Sequence, residues 1–412
     1  MIIDAKDYNG LCRCGRVHKM TTDLCVVERG CFGRLPEYAA SVGLKGKSVA
    51  VCDGNTFAAV GGAVPTDGVV VLDPEGLHPD DRAVELLRKQ LPADADYLAA
   101  VGGGSIHDLT RFFAAERGIP FVSCPTCASV DGFCSSVAAL TLKGFKKTLP
   151  AVAPSVVVAD VDVISRAPAR LARSGFGDLM GKFISLADWR IGVELTGEYF
   201  CPEVCELTES AAKKAMEKAE GIGSGDPDSI EALTAGLLMS GLAMQLLGNS
   251  RCASGAEHHV SHLLELHPDG LREGSEALHG EKVGVGTLIA SGEYHRLVSD
   301  GEIFRRDYPA IDPDDVRRFF GDGLWASVME ENKNDAAAGI TAKLLEAHRE
   351  GVTRIVEAIP TRERLLEIYA SAGLLTRLED IGVSGDRLGV ILKYSPLVRN
   401  RLTLMRLARS VR

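Results

Sequence analysis

The chain has no surplus of positive charge: 46 Lys and Arg stand against 56 Asp and Glu, a formal net charge of −10. That balance argues against nucleic acid or an anionic membrane surface as the main partner. A small anionic substrate stays open, because it needs only a local basic pocket. The chain also has no uninterrupted apolar run of membrane-spanning length. The most apolar stretch, residues 232–248, is broken by Thr234, Ser240 and Gln245 and falls short of the roughly 20 residues that a bilayer requires, so a buried helix and no membrane span are expected. No signal-peptide pattern opens the chain, and its eleven cysteines are odd in number and scattered. Reduced thiols in a cytoplasmic protein are the expectation. Two chemical signatures are incomplete. Cys12-Arg13-Cys14-Gly15-Arg16-Val17-His18 offers zinc ligands in a CxC…H group but no fourth ligand nearby. The GxGxxG fingerprint of dinucleotide-binding turns is absent.

What is present points to two domains. At 412 residues the chain exceeds one ordinary core, and 46% hydrophobic with 25% charged residues is the composition of a globular protein. Ser48–Asp53 is a short β-rich run between Gly46 and Gly54 and reads as the first buried strand. Residues 68–73, 96–101, 120–123 and 156–160 repeat that pattern after helix-length intervals. Strands alternating with helices at this spacing predict a parallel, helix-flanked sheet. Beyond Ile164 strand signals thin out, and residues 169–192, 203–219, 229–251 and 257–266 read as helices. The expected division is a Rossmann-like domain over 1–165 and an all-helical domain over 166–412.

Gly102, Gly103 and Gly104, with Ser105 and Asp108, enter a helix directly after the third of these strands. Glycines let backbone approach a ligand closely, and a helix start offers free N–H groups to a phosphate. The turn therefore reads as a pyrophosphate cradle. Asp53 ends the first strand, where a carboxylate can accept from an adenosine ribose and favour NAD over a 2′-phosphorylated cofactor; the alternative is an ordinary Asp-Gly turn residue. Pro125-Thr126-Cys127-Ala128-Ser129-Val130-Asp131-Gly132 then forms a polar loop. It leads through residues 135–142, a Lys143-Gly144 turn and residues 145–148 into a predicted hairpin on the rim.

Four of the ten histidines lie in two neighbouring segments, His258-His259-Val260-Ser261-His262 and Leu278-His279-Gly280. On a helix His258 and His262 share a face, and His259 points about 100° away. A metal seeking imidazole nitrogen has His258, His262 or both available, with His279 from the next segment. Asp178, in Gly175-Phe176-Gly177-Asp178-Leu179, is the candidate carboxylate.

Taken in order, GGGSIHD, PTCASVDG, FGDLMGK…SLADWR, RCASGAEHHVSH and LHGEKVGVGT resemble the sn-glycerol-1-phosphate dehydrogenases, a branch of the iron-containing alcohol dehydrogenase and dehydroquinate synthase superfamily. The likeness extends from CRCGRVHKM to KYSPLVRNRLTLMRLA and so covers most of the chain. It implies an amino-terminal domain binding NAD(H) or NADP(H), a helical domain binding one divalent metal, and an active-site cleft between them. By this resemblance Asp178, His258 and His279 bind the metal, and His262 serves substrate or proton relay. Gly102, Gly103, Gly104, Ser105 and Asp108 match the pyrophosphate loop, Thr126 and Ser129 the nicotinamide side, and Asp131 a polar residue near the substrate. Lys146 and Lys147 lie where related enzymes bring a lysine toward the cofactor.

The implied reaction is reduction of dihydroxyacetone phosphate to sn-glycerol 1-phosphate. The metal polarises the ketone oxygen, the nicotinamide delivers hydride, and His262, whose imidazole titrates near neutral pH, relays the proton. Arg251, Lys282, Arg399 and Arg401 are the candidates for holding the substrate phosphate. Zinc is the expected metal, with nickel or iron also compatible with an O,N,N site, and a homo-oligomer is expected. A glycerol dehydrogenase on the free polyol would use the same chemistry. A dehydroquinate synthase would typically carry a metal-binding glutamate where Asp178 stands, and a lysine-bearing loop where Val130-Asp131-Gly132-Phe133 stands.

Overall fold

The computed structural model describes the backbone of residues 1–143 and 145–412, and the side chains of these except at Phe145 and Lys146. Eleven strands are described: β1 Ile2–Asp4, β2 Gly10–Leu11, β3 Val17–His18, β4 Leu24–Glu28, β5 Ser48–Asp53, β6 Gly68–Leu72, β7 Tyr97–Gly102, β8 Phe121–Pro125, β9 Val137–Leu142, β10 Phe145–Pro150 and β11 Val156–Asp160. Seven of them form one sheet in the order β1-β4-β11-β8-β7-β5-β6. Within it only β1 against β4 is antiparallel. β2 pairs with β3, and β9 with β10, as separate hairpins. The glycine of the expected Lys143-Gly144 turn lies outside the described residues.

Helices cover both faces of the sheet, so the central strands are buried along nearly their whole length and mostly apolar, while neighbouring side chains still alternate. Val49, Val51, Leu98 and Ala100 face one way and pack with Ala83, Leu87, Ile106, Leu109 and Phe113 from the helices Asp81–Gln90 and Gly104–Arg117. Ala50, Cys52, Ala99, Val101, Val122 and Val158 face the other way, toward Leu35 and Tyr38. Phe113 is almost fully buried, and Phe113→Ala would cost about 3–5 kcal/mol. The first buried strand is β4, upstream of the expected Ser48–Asp53. Cys25, Val26 and Val27 are buried between β1 and β11, a pairing with distant chain that local patterning does not show.

Beyond Asp160 the described residues form helices and no strand. The chain divides into two compact units, Met1–Gly175 with Glu217–Asn249, and Phe176–Met216 with Ser250–Arg412. This differs from the contiguous division expected at residue 165, because the chain returns to the first unit for the helix Pro227–Leu247. Asp226 caps that helix by accepting from Ser229 N at 2.9 Å, and Pro227 occupies its first turn, so it starts before the apolar stretch and reaches 21 residues. By length and composition it passes as a membrane span, and 61% of its most apolar window is buried in the protein. Gly241 abuts the Asp131 carbonyl and Cys134, and Gln245 donates to the Cys134 carbonyl at 2.6 Å. It is a core helix of the first unit.

The second unit is built around the helices Ala256–Leu266 and His279–Asp300. Val260, Leu263 and Leu264 of the first, and Val285 of the second, join a core with Phe319, Phe320 and Tyr394. That burial turns His258, His262 and Glu265, at spacings of four and three, onto the opposite face.

Candidate active site

In the second unit Asp178, His258 and His279 converge, with one donor atom from each lying within 4.8 Å of the others. Asp178 Oδ1 is 3.5 Å from His258 Nε2, and the two imidazole rings are 5.3 Å apart. Two close backbone contacts, made at Gly177 and Gly286, bring these donors together. A Cβ on Gly177 would sit 2.4 Å from the Gly280 carbonyl, and one on Gly286 would sit 2.6 Å from the Glu257 carbonyl. Backbone therefore touches backbone beside Asp178, His279 and His258. Any larger residue would push the helices apart.

Each histidine is oriented by a carboxylate. His258 Nδ1 lies 2.7 Å from Glu257 Oε1, which also accepts from Gly255 N at 2.8 Å. His279 Nδ1 lies 3.1 Å from Glu265 Oε1. Nδ1–H donation to these oxygens leaves both Nε2 lone pairs for an ion, the arrangement metal-binding histidines require. One carboxylate oxygen and two so-oriented imidazoles fit a divalent ion with ligands at about 2.0–2.2 Å. Burial opposes the charge on His258, but hydrogen bonds to Asp178 and Glu257 raise its pKa to about 9. Burial likewise opposes the charge of Asp178, yet Lys182 and His258 hold its carboxyl well below the usual range.

Lys182, Glu257 and Glu265 contact the candidate donors and are not singled out by the sequence reading. Lys182 is fully buried and donates to Asp178 Oδ1 at 2.9 Å and to the Ala253 carbonyl at 3.0 Å. Its spacing four residues after Asp178 was the available signal. Glu257 and Glu265 flank the histidines in sequence, where helical carboxylates usually mean a solvated face.

The rings of His262 lie 6.0 Å from His258 and 6.1 Å from His279, and its Nδ1 has no hydrogen-bond partner among the described residues. Burial, reinforced by His258 and His279, holds its pKa well below the ordinary value. This favours the uncharged form of the ring. The four phosphate candidates also separate. Arg251 clamps Glu198 at 2.9 and 3.1 Å and donates to the carbonyls of Asp188 and Leu402, and Arg401 donates to the carbonyls of Ser250 and Ser254, so both hold backbone in place. Lys282 pairs with Glu265 at 3.1 Å. Arg399 is exposed and adds to the positive field felt by His262.

In the first unit β5 leads outward to β6, and the chain then crosses back to β7 on the other side of β5. Asp53 and Gly102 thus end adjacent strands at the sheet's switch point, where open parallel sheets bind ligands. Gly102 is required by packing, since a Cβ there would lie 2.8 Å from Ile106; its carbonyl accepts from Thr126 N at 3.1 Å. Gly103 starts the helix Gly104–Arg117 without a side-chain cap, and a Cβ on it would meet nothing closer than Cys127 Sγ at 3.7 Å. Helix N–H groups without a side-chain cap beside open space are what a phosphate needs. His107 braces this turn, with Nδ1 donating to the Gly103 carbonyl at 2.9 Å and Nε2 accepting from Ser123 Oγ at 2.7 Å. Burial and the Arg111 charge lower its pKa to about 3.

The other expected residues of this unit are placed as follows. Asp53 Oδ1 accepts from Thr56 N at 2.9 Å and caps the short helix Gly54–Ala59. Ser105 lies in the first turn of the Gly104–Arg117 helix. Asp108 is 3.6 Å from Arg111, whose buried guanidinium donates to the carbonyls of Gly132, Phe133 and Val137. Ser129 is buried, accepts from Cys127 Sγ at 3.4 Å, and its carbonyl accepts from Ser174 Oγ. Asp131 Oδ2 accepts from Ser240 Oγ at 2.9 Å. The side chain of Lys146 lies outside the described residues.

Comparison with known proteins sets the class first: residues 26–168 match the family described as iron-containing alcohol dehydrogenase. The chain is similar to the glycerol-1-phosphate dehydrogenase (NAD(P)+) of Geobacillus stearothermophilus, 33% identical over 409 residues, covering 96% of this chain and 94% of that protein. The protein of the same name from Halalkalibacterium halodurans is 32% identical, covering 98% and 97%. The chain therefore belongs to the glycerol-1-phosphate dehydrogenase family. In fold it is similar to a probable glycerol dehydrogenase from Sinorhizobium meliloti 1021, with a TM-score of 0.61 and 20% identity over 94% of this chain and 91% of that one.

Proposed function

We propose that this chain catalyses the reversible NAD(P)-linked, metal-dependent reduction of dihydroxyacetone phosphate to sn-glycerol 1-phosphate. The observation that carries this reading is the convergent Asp178-His258-His279 set, buried at Asp178 and His258, with each imidazole anchored through Nδ1 on a carboxylate, in a chain similar over nearly its whole length to glycerol-1-phosphate dehydrogenases. When bound, the divalent ion supplies Lewis-acid polarisation of the ketone and the nicotinamide supplies the hydride. Asp178, His258 and His279 hold the ion, and Lys182 fixes the Asp178 carboxylate. His262 relays a proton from solvent to the substrate oxygen, directly or through water, taking up one proton for each it delivers, with its Nδ1 free of other partners. Gly102, Gly103 and Gly104 with the following helix start receive the pyrophosphate, Ser105 and Asp108 support that turn, Thr126 and Ser129 line the nicotinamide side, Asp131 lies near the substrate, and Lys146 reaches the cofactor. Arg399 and Lys282 take the substrate phosphate, since Arg251 and Arg401 are committed to backbone carbonyls.

Zinc is the resident metal in this proposal, with nickel or iron as replacements, and NAD is preferred through Asp53. The enzyme works in the cytoplasm as a homo-oligomer on a small-molecule substrate. The deciding experiment assays metal-loaded protein with dihydroxyacetone phosphate, dihydroxyacetone and the dehydroquinate precursor in parallel, following NADH and NADPH absorbance. Turnover with the phosphorylated ketone is the expected result. Oxidation of the cofactor only with dihydroxyacetone would overturn it.

A further inference from the structure

We propose that Cys12, Cys14 and His18 hold a structural zinc ion, separate from the Asp178 site and belonging to the other unit. The carrying observation is an inversion of burial in the β2–β3 hairpin. Leu11 and Val17 are 78% and 73% exposed, whereas Cys12 and His18 beside them are 7% and 6% exposed. A two-stranded ribbon held by hydrophobic burial would point its apolar residues inward. This one points metal-binding side chains inward instead.

The geometry agrees. Donor atoms of Cys12, Cys14 and His18 lie within 4.8 Å of one another, and Cys14 Sγ is 3.3 Å from His18 Nε2. With Zn–S near 2.3 Å and Zn–N near 2.0–2.1 Å, tetrahedral coordination puts such a pair about 3.5 Å apart. His18 Nδ1 donates to the Leu246 carbonyl at 2.6 Å, which fixes the tautomer and directs the Nε2 lone pair toward the sulfurs. Cys14 N approaches Cys12 Sγ at 3.4 Å, a contact that favours the thiolate over the thiol. The turn between the cysteines is tight, with Gly15 N donating to the Cys12 carbonyl and Gly15 at φ +84°. Soft sulfur with imidazole selects zinc among common divalent ions.

Strands of two residues do not hold themselves together in water. A zinc ion would supply the missing stabilisation and tie the hairpin through His18 to the Pro227–Leu247 helix. Binding converts two thiols to thiolates and releases two protons to solvent. Water or a further thiolate completes the coordination, and serine replacement of the other cysteines one at a time tells which.

The test is metal content, measured by elemental analysis on untagged, full-length protein expressed with zinc. Wild type is expected to hold two metal equivalents per chain, Asp178→Ala one, and Cys12→Ser/Cys14→Ser one. Unchanged metal in the double cysteine variant, an Asp178→Ala protein with none, or a Cys12–Cys14 disulfide in wild type by mass would each overturn the proposal. Should the double variant fail to fold, Asp178→Ala protein reconstituted with cobalt(II) decides. A thiolate-to-cobalt charge-transfer band in the near ultraviolet supports the site, and its absence overturns it. Neither readout depends on activity, so failure here leaves the proposed reaction untouched.

Discussion

His107 shows how one neutral ring can brace a glycine turn. Its Nδ1 must carry the proton given to the Gly103 carbonyl, and its Nε2 must stay bare to accept from Ser123. An unfolded histidine binds its proton near pH 6.5, the folded ring only near 3, so between these values the unfolded state holds more protons. The stability contributed by this group is therefore complete above about pH 6.5 and is lost as pH falls toward 3, at up to about 1.4 kcal/mol per pH unit. Urea unfolding of wild type and His107→Gln between pH 4 and 7 should show that slope in wild type and a shallower one in the variant. NADH affinity should fall roughly tenfold in the variant, the equivalent of one lost hydrogen bond. Gly103→Val should fold, because its position meets only Cys127 at van der Waals distance, yet lose NADH binding in a fluorescence titration. The two helical histidines should separate in the same spirit. His262→Ala is expected to keep its metal and lose turnover by about 10²–10⁴-fold, whereas His258→Ala should be metal-free by elemental analysis.

Elements, rather than side chains, set the spacing of the candidate metal donors. Gly177 against Gly280, and Gly286 against Glu257, are backbone contacts with no room for a methyl group. Gly286→Ala should weaken zinc binding by about 10–100-fold and lower stability by about 1–3 kcal/mol without altering any ligand, as calorimetric titration and thermal unfolding would show. Such contacts explain what was legible beforehand. Strands such as Ser48–Asp53 and Val156–Asp160 announce themselves because burial on both faces leaves an unbroken apolar run, and the three metal donors stand out by residue type and by resemblance. Leu24–Glu28 does not announce itself, because its partner β11 is far along the chain. Lys182, Glu257 and Glu265 do not stand out, because a buried charge and a solvated one look alike in one dimension. The seat of the Pro227–Leu247 helix in the first unit follows from packing against Asp131 and Cys134, which no local pattern announces.

At the scale of the whole molecule, the two candidate sites lie in different compact units, the nucleotide turn in one and the Asp178 donors in the other. Each ligand should therefore protect its own unit first. Metal at a hundredfold excess over its dissociation constant should add about 2.7 kcal/mol to the opening of residues 250–300, and chelation should remove it. NADH should do the same for residues 97–130. Hydrogen exchange with NADH alone checks this, and equal protection of both segments by NADH alone would contradict it. The interleaved path of the chain also bears on synthesis. When residue 175 leaves the ribosome the first unit lacks one of its core helices, and a stretch committed to the second unit must emerge before Pro227–Leu247 arrives. The nascent sheet must therefore wait with an apolar face uncovered. A gene cut near residue 165 would encode that waiting state permanently, a polypeptide prone to aggregate or to be captured by chaperones rather than a separable nucleotide-binding module.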